Sequence, residues 1–130
     1  MSADGTYSFA YCGEFGVGVG VVTIQSNILK GADLGGGRYS GVVSAKPGGA
    51  GYRVRYDMFI PADVFLVQGT SPQDIAQRRD DITIDLPPDF DNGEPIKLFV
   101  PPGNITIMIR RISDDLAWYA SGVKVTMTRA

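Results

Sequence analysis

The feature that most constrains this chain is side-chain alternation of period two, which recurs from one end to the other. Successive side chains of an extended strand point to opposite faces, whereas a helix repeats every 3.6 residues, so alternation selects strands over helices. The clearest case is Tyr52 to Ile60. Tyr52, Val54, Tyr56, Met58 and Ile60 are apolar, while Arg53, Arg55 and Asp57 are charged, as expected for a sheet wet on one face. Pro61 ends that strand. Tyr7, Phe9 and Tyr11 likewise oppose Ser8, Ala10 and Cys12, and the run Gly16 to Val21 sets three valines against three glycines.

Further strands are predicted at Ile28–Lys30, Arg38–Lys46, Val64–Gln68, Asp81–Leu86, Ile96–Val100, Asn104–Ile112 and Trp118–Thr128. Ser26-Asn27 reads as a turn, and Gly31 to Gly37 breaks the pattern. One helix start is present, with Ser71 as cap, Pro72 at the first helical position and Asp74 in the first turn, so one or two turns of helix are expected there. Asp114-Asp115 suits a tight connection. Short strands separated by frequent turn signals imply a sandwich or a closed barrel. Long, regular strands such as Tyr52–Ile60 and Asn104–Ile112 would leave open edges in a sandwich, and closure removes them. The expected fold is therefore all-β: one antiparallel barrel of about eight strands with one short helix. At 13.9 kDa the chain suffices for one domain, residues 1–130.

Composition narrows the chemistry. There is no histidine, one cysteine (Cys12) and one tryptophan (Trp118). Ser-His-Asp and Cys-His catalysis and a His-bearing zinc site are excluded, and a lone thiol forms no internal disulfide. Net charge is −2, without the basic field of a duplex binder, so no direct nucleic-acid partner is expected. The first residues carry no signal-peptide pattern, and no apolar run is long enough to span a bilayer as a helix. A free cysteine without a disulfide framework suits the cytoplasm.

Four constellations invite a chemical reading. Gly16-Val17-Gly18-Val19-Gly20 lacks both the third glycine of a dinucleotide loop and the Lys-Ser or Lys-Thr of a P-loop, and reads as a curved or closely approached strand. The acids from Asp80 to Glu94 include Asp89-Phe90-Asp91-Asn92-Gly93-Glu94, but Gly93 occupies the fifth position, where a calcium loop needs a ligand. A solvated loop turning at Asn92-Gly93 is expected instead. Asp33, Asp114 and Asp115 are not placed by any pattern across a cleft, so no catalytic carboxylate pair is assigned. Arg78-Arg79, Arg110-Arg111, Arg53 and Arg55 alternate with the tyrosines instead of sharing their face, which favours core tyrosines and solvated arginines. No enzyme, metal or cofactor is expected. The inward aromatics either fill the barrel or, with Tyr7, Phe9, Tyr52, Val54 and Tyr56 as lining, enclose a pocket of several hundred Å³ on the usual scale of ligand sites.

Asp4-Gly5-Thr6-Tyr7, Gly18-Val19-Gly20-Val21, Asn27 to Asp33 and Arg38-Tyr39-Ser40-Gly41 occur in an order that resembles the GrlR-like family of negative regulators of type III secretion. The resemblance covers residues 4 to 60. It implies a lipocalin-like barrel, a cytoplasmic homodimer and action by contact with a transcriptional regulator. In that family an acidic surface loop makes the contact. The corresponding loop here, Ser44 to Gly51, has no acid, and Ala45, Lys46, Pro47 and Gly48 are its candidate partner-binding residues. Gly16, Gly18 and Gly20 are candidates for the dimer contact. The expected function is that of a non-enzymatic regulator working through protein–protein contact, the alternative being a barrel that holds a small apolar ligand.

Overall fold

The computed structural model describes residues 3–13, 16–61, 77–100 and 103–113. They form eight strands: β1 (Gly5–Gly13), β2 (Gly16–Gln25), β3 (Ile28–Asp33), β4 (Arg38–Ala45), β5 (Tyr52–Ile60), β6 (Gln77–Leu86), β7 (Ile96–Val100) and β8 (Gly103–Ser113). Ladders join them antiparallel in the order β6-β5-β4-β3-β2-β1-β8-β7. β6 and β7 then approach each other without a ladder, so the barrel is nearly closed, with one seam. The all-β antiparallel barrel predicted from alternation is the fold observed.

Alternation sorts the faces as the sequence implies. Tyr52, Val54, Met58 and Ile60 of β5 are buried, whereas Arg53, Arg55 and Phe59 are exposed. Tyr7 and Phe9 of β1 face inward beside Ile109 of β8 and Ile24 of β2. The hairpin at Ser26-Asn27 places both residues at positive φ, 51° and 66°, matching the right-handed twist of the strands that it joins.

Two boundaries differ from the sequence reading. β3 continues through Gly31 to Asp33, because Gly31 pairs with both Val22 and Tyr39, and only then does the chain turn, with Gly36 at φ 91°. β6 begins at Gln77 instead of Asp81. Its first residues show no apolar alternation, yet Gln77, Arg78 and Arg79 pair with Ile60, Phe59 and Met58 at the end of β5. The register shift between Tyr56 and Met58 is absorbed by Asp81 at φ 57°, whose N–H donates to Asp57 Oδ1 at 3.1 Å. The only helical element among the described residues is the 3₁₀ turn Pro47–Gly49. The expected helix at Ser71, the strands Val64–Gln68 and Trp118–Thr128, and the Asp114-Asp115 connection lie outside the described residues.

The barrel has two unlike ends. At the lower end, where β1 starts and the β4–β5 and β6–β7 connections lie, Phe90 plugs the interior, its ring 5.3 Å from that of Tyr7 and 5.4 Å from that of Tyr52. At the upper end, where β3 turns into β4, the interior carries Tyr11, Tyr39 and Asp33.

Candidate functional site

Between these ends lies an interior cavity of about 110 Å³. Tyr7, Phe9, Tyr52, Val54 and Tyr56 all line it, together with Tyr11, Tyr39 and Met58, and no charged side chain does so among the described residues. Its volume falls short of the several hundred Å³ expected from sequence. The rings of Tyr11, Phe9, Tyr39 and Tyr56 account for the difference, because they follow one another in that order at centroid separations of 5.8, 5.9 and 6.0 Å and occupy the space that an emptier barrel would leave.

β2 is what lets these rings lie so close to the wall. A Cβ at Gly18 would come within 2.3 Å of the Tyr11 ring, and one at Gly20 within 2.6 Å of Phe9 and 2.4 Å of the Ala32 carbonyl oxygen. Gly18 and Gly20, candidates for a dimer contact, therefore turn their bare side to the interior, and the approach that they permit is by rings of their own chain. The surface of β2 that meets solvent is the valine row, with Val17 80%, Val19 44% and Val21 39% exposed. Met108 of β8 stands on the same outer face across Ala10, at 37% exposure.

At the upper end, β1, β3 and β4 bring three polar groups together. The hydroxyls of Tyr11 and Tyr39 both donate to Asp33 Oδ2, the first at 2.9 Å, while Asp33 Oδ1 accepts the Gly37 N–H at 2.9 Å. Burial, reinforced by the neighbouring carboxylate, pushes the Tyr11 hydroxyl up to about 12. Burial and the hydrogen bond to Asp33 raise Tyr39 further. Burial alone pushes Tyr56 up to about 12. All three phenols thus hold their protons across the physiological range, and two of those protons are committed to one carboxylate.

Sequence reading assigned Asp33 no partner. The signal was present: continuing the alternation of β3 past Leu29 puts Leu29, Gly31 and Asp33 on the inner face, but the glycines around Asp33 suggested an end to the strand.

The β4–β5 loop behaves differently. Lys46 forms an ion pair with Asp85 at 3.6 Å, and its N–H bonds to the Gly51 carbonyl at 2.8 Å. Ala45 closes β4, while Pro47 and Gly48 begin the 3₁₀ turn, with Gly48 at φ 69° and open space around it. The acids of β5 and β6 are spent on a ladder across the outer face. Arg53 pairs with Asp85 at 2.9 Å, Arg55 with Asp81 at 3.0 Å, and Arg78 with Asp57 at 3.1 Å and Asp80 at 2.7 Å. The acids after β6 form a local turn: Asn92 donates to Asp89, accepts the Glu94 N–H, and is followed by Gly93 at φ 82°. Among the described residues no three acidic or thiol side chains converge as metal ligands would. No helix among those residues is long and apolar enough to cross a membrane. No protein-family model matches the sequence, and no curated protein matches it.

Proposed function

We propose that this chain is a non-enzymatic cytoplasmic regulatory protein, a lipocalin-like barrel that acts as a homodimer by contacting a transcriptional regulator, in the manner of the GrlR-like negative regulators of type III secretion. The observation that carries this reading is the contiguous apolar row Val17, Val19, Val21 and Met108 on the outer face of β2 and β8. Together with Ala10 and Cys12 it makes a face without charge spanning β8, β1 and β2. Such a face packs on a second copy of itself across a two-fold axis without setting like charges opposite one another. The ion-paired face of β5 and β6 would bring charged residues into the same kind of contact, at a desolvation cost. The loop from Ala45 to Gly48 is then left free at the lower end to meet the regulator.

Sedimentation of the wild type and of Val19→Asp tests the dimer: the wild type is expected to sediment as a dimer and the variant as a folded monomer. A wild type monomeric at tens of micromolar would overturn it. Deleting the gene in its host is expected to raise the transcripts under the regulator's control, with the intact chain restoring them and Val19→Asp failing to. Unchanged transcripts would remove the regulatory part.

The cavity favours a second reading, a barrel holding a small apolar ligand. Its walls are almost wholly apolar, and about 110 Å³ is on the order of the volume that a benzene-sized guest needs.

A further inference from the structure

Resting on that second reading, we infer that the cavity takes a small organic cation, an alkylammonium with a compact apolar body, whose charged head lies at the Tyr11–Asp33–Tyr39 end. Binding energy for the body comes from the aliphatic wall, which includes Ile24, Leu29, Val43 and Val54. The choice of head follows from what the upper end offers. Tyr11 and Tyr39 already donate their hydroxyl hydrogen bonds to Asp33, so they present lone pairs and ring faces to the interior, not free donors. Behind them stands a carboxylate, and among the described residues no lysine or arginine lines the cavity.

An anionic head at that end would face the Asp33 carboxylate through the two phenols, and Arg79, on the inner face opposite Met58, stands two strands away from Tyr39 and does not line the cavity, so burying the head there would cost free energy. A cation meets the opposite situation. It sits among the faces of Phe9, Tyr11, Tyr39 and Tyr56, and aromatic faces attract cations most strongly when water is excluded. Hydrogen bonding to Asp33 makes the two phenol rings more electron-rich, and the carboxylate adds its own charge through them. Size limits the guest to roughly six heavy atoms, since a cavity of ~150 Å³ admits benzene.

The test uses three probes of one shape on the whole chain at neutral pH: isobutylammonium, isobutanol and isobutyrate. Binding is followed by NMR titration of the Gly18, Gly20 and Gly37 amides. Expected is isobutylammonium binding about tenfold or more tighter than isobutanol, with isobutyrate not detected. In Asp33→Asn the ammonium should fall to the level of the alcohol while alcohol binding persists, which also shows that the cavity is intact. If Asp33→Asn does not fold, Tyr39→Phe serves in its place, and a loss of at least threefold in the ammonium-to-alcohol ratio is expected. Isobutanol binding as tightly as the ammonium, isobutyrate binding, or a ratio unchanged in the variants would each overturn the cation assignment while leaving the apolar-ligand reading standing. Binding of none of the three would overturn both.

Discussion

The two ends of the barrel both place tyrosine hydroxyls inside an apolar wall, yet they satisfy them in opposite ways. At the lower end Tyr7, fully buried, donates to the Ala3 carbonyl and accepts from Arg111 Nη2 at 2.9 Å. The same guanidinium lies 5.1 Å from the centre of the Tyr7 ring, donates to the Asp4 carbonyl at 2.9 Å and pairs with Asp91 at 3.4 Å. One arginine thus ties together the start of β1, the end of β8 and the segment carrying Phe90. At the upper end a single carboxylate holds two phenols, and space remains beneath them. The comparison teaches that a buried hydroxyl paired with a backbone carbonyl and a cation closes a barrel end. Paired with a lone acid, it leaves an electron-rich end that a guest can use.

Truncating the lower plug should produce the largest effect. Tyr7→Ala removes a fully buried ring and leaves Arg111 without its hydroxyl partner, and chemical denaturation should show a loss of about 3–5 kcal/mol. A loss under about 1 kcal/mol would mean that the lower end is not where the fold is held.

Gly20→Ala should cost less, about 1–3 kcal/mol, by forcing Phe9 and the β2–β3 ladder apart. Its thermal midpoint should fall clearly below that of the wild type, and an unchanged midpoint would contradict the close approach of ring and strand.

Alkaline titration separates the ends by their protons. The folded state holds the protons of Tyr11 and Tyr56 up to about 12, while the unfolded chain releases them near 10.0. Stability is therefore fully present below pH 10 and falls as pH rises towards 12, by at most about 1.4 kcal/mol per pH unit for each such proton. Tyr56→Phe should flatten this fall, as read by denaturation at a series of pH values. An equally steep fall in the variant would place the titrating group elsewhere.

Asp33→Asn, measured the same way at neutral pH, should lose only about 1 kcal/mol, the difference between hydrogen bonds to a charged and to a neutral acceptor. A loss as large as that of Tyr7→Ala would make the upper end a structural clasp like the lower one and erase the contrast.

The outer ladder should matter least. The backbone N–H of Asp81, with Arg78, holds Asp57 below the usual carboxylate value of 3.8, and Arg53 does so for Asp85. Their contribution is present above that value and lost as pH falls through the lowered range. These groups lie on the solvent face, so 1 M salt should remove most of the effect. An acid transition insensitive to salt would argue against the ladder as its origin.

Much of this fold was legible in the sequence, because alternation is a local property: the two-residue repeat of Tyr52 to Ile60 or Tyr7 to Cys12 follows from strand geometry alone. It identified most of the described strands, their apolar inner faces and the solvated Arg53 and Arg55, but Arg79 and Arg111, expected to be solvated, stand opposite buried Met58 and Tyr7. It failed where local and long-range signals diverge. Gly31 has no side chain to show a face, so its place in β3 is visible only from its partners Val22 and Tyr39. Arg78 and Arg79, read as solvated arginines ahead of a strand starting at Asp81, fall within β6 only once its pairing with β5 and its register shift are in place.

By itself, then, the sequence determined the class of the molecule, an antiparallel barrel without histidine chemistry, and which side chains face inward. Tertiary structure alone decided that Asp33 lies between Tyr11 and Tyr39, that Gly18 and Gly20 are covered by rings of their own chain, and that the cavity shrinks to about 110 Å³. The reason is register: which residue of β3 reaches the level of β1 and β4 depends on how distant strands align and where the sheet closes, and no local repeat specifies that.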